Sequence, residues 1–148
     1  MTYNYRDKLR RTLMDMHIEN WNPEFMSQFD PEAYFESLKI AKINAPMIYI
    51  QSHVGLCYWP TKSGEMHSGL IGKEDAMKRL FDLCHDDGMA VVAYYSIIYN
   101  NWAYHEHPEW QMREYFTGTE RKRSTESEAT YRKEWKEIID CLYSYPCI

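Results

Sequence analysis

The sequence has little glycine or proline, with six of each in 148 residues. It also has no apolar run that approaches the roughly 20 residues of a membrane-spanning helix. Collagen-like and disordered chains are excluded, because 45% of the residues are hydrophobic and 16% are aromatic. The first eight residues are polar and lack the apolar stretch of a secretory signal. We therefore expect a single globular domain that is located in the cytoplasm.

An excess of positive charge is also missing. Seventeen basic and 22 acidic residues give a net charge of −5, so we expect neither nucleic acid nor an anionic membrane as a partner. The four cysteines form no Cys-x-x-Cys pair, which excludes the usual zinc-ribbon and thioredoxin spacings. We expect reduced thiols, no bound metal and no cofactor. The cysteines are Cys57, Cys84, Cys141 and Cys147.

The hydrophobic pattern alternates between strands and helices up to about residue 100. Asp30 and Pro31 are typical of the start of a helix, and Gly88 is typical of the end of one. The alternating order predicts right-handed crossovers and a parallel sheet in an α/β fold. The predicted elements are a strand at 12–18, a helix at 30–43, a strand at 47–53, a helix at 73–87 and a strand at 89–98.

The rest of the chain has weaker patterns. A long loop is predicted at 54–72, and a charge-rich polar linker at 117–130. Residues 131–148 are predicted to form a helix and a tail, since apolar side chains recur there at helical spacing. The predicted organisation is therefore one folded portion at 1–116, the linker, and the carboxyl-terminal helix.

Polar and aromatic side chains occur where each predicted strand ends. The carboxyl ends of parallel strands meet at one edge of a sheet, where ligands bind. His17 and His53 are the main candidates for binding, with Asp15 and Gln51 as supporting residues. Each histidine could instead only orient its own loop. The side chains at these ends are Asp15, His17, Gln51, His53, Tyr94, Tyr95 and Ser96.

Two aromatic residues follow His53 closely. Tyr58 and Trp59 offer flat apolar faces with a polar tip, which suits stacking against the C–H face of a sugar. Rings in such a loop also pack against the loop itself, and the sequence leaves both interpretations open.

Seven short segments of the sequence resemble, in their residues and in their order, segments of a known family. The chain is similar, over roughly residues 10–110, to the amino-terminal part of the family called hypothetical glycosyl hydrolase 6, a relative of the α-L-fucosidases. The segments are Asp15-Met16-His17, Phe29-Asp30-Pro31-Glu32, Ser52-His53-Val54-Gly55, Tyr58-Trp59-Pro60-Thr61-Lys62, Cys84-His85-Asp86-Asp87-Gly88, Ala93-Tyr94-Tyr95-Ser96 and His107-Pro108-Glu109-Trp110.

The resemblance implies a (β/α)₈ barrel, hydrolysis of glycosidic bonds and a carbohydrate ligand. It implies that His17 and His53 contact sugar hydroxyls, that Trp59 forms a wall of the site, and that Tyr94 or Tyr95 lines its floor. A full barrel takes about 200 to 250 residues, so this chain corresponds to about three of the eight strands.

The resemblance also implies what the chain lacks. Glycoside hydrolysis normally uses two carboxyl groups, and in the related enzymes the nucleophilic Asp lies after the fourth strand and the acid/base later still. Asp140 is not assigned as the nucleophile, because residues 131–142 have helical periodicity. We therefore expect a truncated barrel that holds part of a sugar subsite and is inactive on its own.

Two other functions are compatible with the same residues. Asp15, His17 and His53, with the His105 and His107 pair, have the donor atoms of a metal-dependent hydrolase. The chain could also be a sugar-binding α/β domain without enzymatic activity. An unpaired edge of the third strand would favour self-association or binding to the remainder of the barrel.

Overall fold

A computed structural model of the chain describes residues 4–110. The chain divides into two units between Asn100 and Asn101. The first unit contains β1 (Arg11–Leu13), α1 (Pro31–Ile40), β2 (Ala45–Tyr49), β3 (Leu56–Cys57), β4 (Glu65–Met66), α2 (Ala76–Asp86) and β5 (Val92–Tyr94). It also has short 3₁₀ helices at Tyr5–Asp7 and Ser68–Leu70. The second unit begins with α3 (Asn101–Glu106) and a 3₁₀ turn at Pro108–Trp110.

The main sheet has three strands in the order β1, β2, β5, and both pairings are parallel. Thr12 lies opposite Pro46, and Tyr49 lies opposite Tyr94. The predicted parallel α/β arrangement is therefore confirmed. No helix in residues 4–110 is long and apolar enough to cross a membrane.

The strands are shorter than predicted at their carboxyl ends. The predicted strands reached residues 18, 53 and 98, whereas the observed strands end at Leu13, Tyr49 and Tyr94. Just beyond these points the main chain also bonds to side chains and to the following loop. The N–H of Ser96 donates to Oε1 of Gln51 at 3.0 Å, and the N–H of Tyr58 donates to the carbonyl of Ile50 at 2.9 Å.

The predicted loop at 54–72 is more ordered than expected. It contains the two-residue parallel pair β3 and β4 and the 3₁₀ helix Ser68–Leu70. Elements of two or three residues are too short to leave a periodic pattern in the sequence. The predicted linker and carboxyl-terminal helix lie outside the described residues.

Helix α1 starts as predicted and ends earlier than predicted. The carboxylate of Asp30 accepts a hydrogen bond from the N–H of Ala33 at 3.1 Å, and Pro31 is the first helical residue. The helix ends at Ile40 because Lys42 takes a φ of 56°. The N–H of Ile43 then donates to the carbonyl of Leu38 at 2.9 Å, which is a Schellman motif with lysine at the left-handed position.

Helix α2 begins at Ala76 and ends at Asp86. Gly88 has a φ of 75°, and the N–H of Met89 donates to the carbonyl of Cys84 at 2.8 Å. This is the same motif with glycine at its usual position, so the prediction that Gly88 ends the helix is confirmed.

The two helices pack against each other, and both bury apolar side chains in the core. Ile48 of β2 is completely buried with them. Cys57 and Cys84 are buried thiols that form no disulfide, and burial raises the pKa of Cys84 to about 12. The buried residues of α1 and α2 are Phe35, Leu38, Ala76, Met77, Leu80, Phe81 and Cys84.

Candidate functional site

Four aromatic rings meet at the carboxyl-terminal edge formed by β1, β2 and β5. The rings of His17 and His53 are 4.0 Å apart between centroids, with planes inclined by 32°. Tyr49 and Tyr94 stack at 4.0 Å and 25°. The ring of His17 is nearly perpendicular to both tyrosine rings, with its centroid 5.1 Å from that of Tyr49 and 6.3 Å from that of Tyr94. We call these four residues the ring cluster.

The parallel sheet brings the four residues together. Tyr49 and Tyr94 are register partners on neighbouring strands, so their side chains leave the sheet on the same side. His17 and His53 each lie four residues after the last residue of their strand. His53 occupies a turn closed by a 2.9 Å hydrogen bond from the N–H of Gly55 to the carbonyl of Ser52.

A carboxylate orients the imidazole of His17. Oδ1 of Asp15 contacts Nδ1 of His17, and the two side chains are 72% and 25% exposed. Because the carboxylate accepts the proton on Nδ1, Nε2 of the neutral ring is a hydrogen-bond acceptor. The arrangement can therefore accept a hydrogen bond from a ligand hydroxyl.

Tyr49 is the most buried residue of the ring cluster, and the sequence analysis did not select it. Its side chain is 2% exposed. Burial, with smaller contributions from the Asp15 carboxylate and from Tyr94, raises its pKa to about 12. Residues 49, 51 and 53 alternate along one stretch of chain, and that period of two is the signal that could have identified Tyr49.

Gln51 joins the ends of two strands next to the ring cluster. It is completely buried, and its Oε1 accepts the hydrogen bond from the N–H of Ser96 that ties the end of β2 to the end of β5. Nε2 of Gln51 has no hydrogen-bond partner within residues 4–110.

Tyr58 and Trp59 are both buried, whereas a ring that stacks on a ligand needs an accessible face. Tyr58 is 1% exposed, and its hydroxyl donates to the carbonyl of Met16 and accepts a hydrogen bond from the N–H of Ile18 at 3.4 Å. Burial raises the pKa of Tyr58. Trp59 is 9% exposed, and its buried Nε1 has no partner in the described part of the chain. Tyr58 thus has no open face for the predicted sugar contact and instead binds the main chain around His17.

His67 is a second residue that the sequence analysis missed. It is completely buried, its Nε2 lies 2.9 Å from the carbonyl of Glu19, and its Nδ1 accepts a hydrogen bond from the N–H of Gly69 at 3.1 Å. These contacts fix the neutral tautomer with the proton on Nε2. Burial lowers the pKa of His67. No local signal reveals this role, because Glu19 is 48 residues away.

The other predicted residues are placed as follows. Tyr94 belongs to the ring cluster, and Tyr95 is half-buried next to it in the chain. His107 lies in the second unit and stacks on Trp110 with centroids 3.5 Å apart, while His105 presents its edge to Tyr104.

The arrangement gives little support to the metal-dependent alternative. Within residues 4–110, no group of three or more His, Cys, Asp or Glu side chains could hold a metal ion. Asp15 and His17 bind each other, and His17 and His53 meet through their ring faces.

The sequence matches the model of a known protein family over nearly all of its length. A family model described as Alpha-L-fucosidase matches residues 1–145. None of the curated proteins matches the chain.

Solved structures resemble the fold. Alpha-L-fucosidase isoenzyme 2 from Paenibacillus thiaminolyticus has a TM-score of 0.59 and 23% identity over 72% of this chain. An alpha-L-fucosidase GH29 from Bacteroides thetaiotaomicron has a TM-score of 0.58 and 21% identity over 86% of this chain. The chain spans only 16% and 26% of the lengths of those two proteins.

Proposed function

The chain belongs to the alpha-L-fucosidase family, and on that premise we propose that its ring cluster is part of the sugar-binding site of a glycoside hydrolase. The observation that carries the proposal is the contact between His17 and His53, which come from two different strand ends and meet at one edge of a parallel sheet. This edge is where sheets of this type bind their ligands.

The proposed ligand is an L-fucoside, in line with the names of the similar proteins. Nε2 of His17 would accept a hydrogen bond from a sugar hydroxyl, while Asp15 holds the ring. The exposed imidazole of His53 would bind a neighbouring hydroxyl. The half-buried ring of Tyr94 would lie against the C–H face of the sugar.

We propose further that this chain binds sugar without cleaving the glycosidic bond. Hydrolysis normally takes two carboxyl groups on opposite sides of that bond. Asp15 supplies one carboxylate to the cluster, and that group is already bonded to His17. The three parallel strands correspond in this proposal to three of the eight strands of a barrel, and the rest of the barrel would carry the catalytic pair.

Titration of the chain with L-fucose, followed by NMR, tests the binding site. We expect His17→Ala and His53→Ala each to weaken binding about tenfold, because each removes hydrogen bonds to the sugar. His85→Ala, at the end of α2, is the matched control and should bind as the parent chain does. Binding that is equal in all four proteins would exclude the ring cluster as the site.

An assay with nitrophenyl α-L-fucoside tests the absence of cleavage. We expect no turnover above the rate without protein. Turnover by the chain that Asp15→Asn abolishes would show that it carries complete catalytic machinery. The cytoplasmic location and the association with a second copy or with the rest of a barrel stay predictions, which cell fractionation and sedimentation would test.

A further inference from the structure

We infer that Tyr58 and His67 form a clamp that positions His17, an inference that rests on the proposed sugar-binding function. Both residues lie in the segment after β2, and both are almost completely buried. Their polar side-chain atoms bind the main chain immediately around His17. They are positioning residues, because they act on the ligand-binding ring through the backbone that carries it.

Tyr58 binds the peptide groups on both sides of His17. Its hydroxyl donates to the carbonyl of Met16 and accepts the N–H of Ile18, across separations of 42 and 40 residues. The main chain of Tyr58 is itself fixed, since its N–H donates to the carbonyl of Ile50 at 2.9 Å. Tyr58 is therefore hydrogen-bonded through its main chain to the residue that follows β2, and through its hydroxyl to the segment that follows β1.

His67 extends this contact by one more residue. Its Nε2–H donates to the carbonyl of Glu19 at 2.9 Å, and the N–H of Gly69 donates to Nδ1 at 3.1 Å. The N–H of His67 donates to the carbonyl of Cys57 at 2.8 Å. The loop thus reaches the segment at 16–19 through two side chains that are each anchored in the core.

The segment around His17 needs such support because β1 ends at Leu13. Residues 14–19 belong to no helix or strand, so no ladder of hydrogen bonds fixes them. The hydrogen bonds of Tyr58 and His67 therefore fix the main chain that carries His17, while Asp15 orients its ring.

The first test is Tyr58→Phe, which keeps the buried ring and removes the hydroxyl. We expect the nuclear Overhauser contact between the rings of His17 and His53 to be lost, and L-fucose binding to weaken about fivefold. Tyr34→Phe is the matched control. The hydroxyl of Tyr34 is buried without a hydrogen-bond partner within residues 4–110, so its removal should change neither measurement.

The second test separates the two contacts of His67. His67→Gln retains an amide N–H near the carbonyl of Glu19, whereas His67→Asn retains only an acceptor for the N–H of Gly69. We expect the ring contact of His17 to persist in His67→Gln and to be lost in His67→Asn. A role limited to the stability of the loop would not distinguish the two variants in this order. This pair also decides the inference if Tyr58→Phe does not fold.

The two measurements separate the clamp from the sugar site. Loss of the ring contact in His67→Asn, in a parent chain that does not bind L-fucose, would support the clamp and contradict the proposed function. Sugar binding by the parent chain, with a ring contact unchanged in Tyr58→Phe and His67→Asn, would overturn the clamp and leave the proposed function standing.

Discussion

The phenol rings of Tyr49 and Tyr94 stack at 4.0 Å across the parallel pair β2 and β5, with an angle of 25° between their planes. The ring of His17 lies beside this stacked pair and is nearly perpendicular to both phenol rings. Because Tyr49 is buried and its pKa is raised to about 12, its phenol stays uncharged at neutral pH. The register of β2 and β5 therefore places two of the four rings of the cluster.

A double-mutant cycle measures the contact between these two rings. Tyr49→Leu and Tyr94→Leu each remove a ring, and the double variant removes both. We expect a coupling free energy of about 1 kcal/mol in chemical unfolding, since stacked aromatic pairs contribute this much beyond their buried area. Additive effects of the two substitutions would mean that the stack contributes no energy of its own.

The stability of the chain should depend on pH through His67. Burial holds the pKa of His67 below its ordinary value of 6.5 in the folded chain, whereas the unfolded chain titrates near 6.5. The unfolded state then binds more protons as the pH falls below about 6.5, so the free energy of unfolding decreases until the pH reaches the folded pKa.

His67→Gln provides the comparison, because glutamine does not titrate. Urea unfolding between pH 7.5 and pH 5 should show a smaller decrease of stability in this variant than in the parent chain. The carboxylates are common to both proteins, so the difference between the two curves reports His67. Parallel curves would show that protonation of His67 does not oppose folding.

Local rules in the sequence predicted the order of the main strands and helices, the start of α1 and the end of α2. Asp30 with Pro31 and Gly88 act within one turn of chain, and the structure places each of them as predicted. The predicted carboxyl ends of the strands were wrong, because a strand ends where its hydrogen-bonded partner strand ends. That depends on contacts such as Gln51 with Ser96, 45 residues apart.

The candidate site was predictable only in part. His17, His53 and Tyr94 were selected because they follow apolar strands, and the structure brings them together. Tyr49 resembled one more buried residue of its strand, because its role comes from the stack with Tyr94. His67 has its main partner 48 residues away, and no spacing within its own loop indicates that.

The residues that end α1 and α2 predict substitutions with opposite effects on stability. Lys42 holds a φ of 56°, which is unfavourable for a residue with a Cβ, so Lys42→Gly should raise the free energy of unfolding by about 0.5 to 1 kcal/mol. Gly88 has a φ of 75° with no atom within 4 Å of an added Cβ, so Gly88→Ala should lower it by about 1 kcal/mol through backbone strain alone. Chemical denaturation measures both, and a change of the same sign in the two variants would contradict this account of the helix ends.

Gly69 should tolerate a methyl group far less well than its neighbour Gly72. A Cβ at Gly69 would lie 1.8 Å from the carbonyl oxygen of Phe25, so the main chain would have to move, whereas a Cβ at Gly72 meets nothing within 4 Å. We expect Gly69→Ala to cost about 3 kcal/mol and Gly72→Ala, with a φ of 84°, about 1 kcal/mol. Since the N–H of Gly69 donates to His67, only Gly69→Ala should also disturb the ring contact of His17. Equal losses of stability in thermal unfolding, with that contact intact in both variants, would mean that Phe25 and Gly69 do not pack as closely as the structure shows.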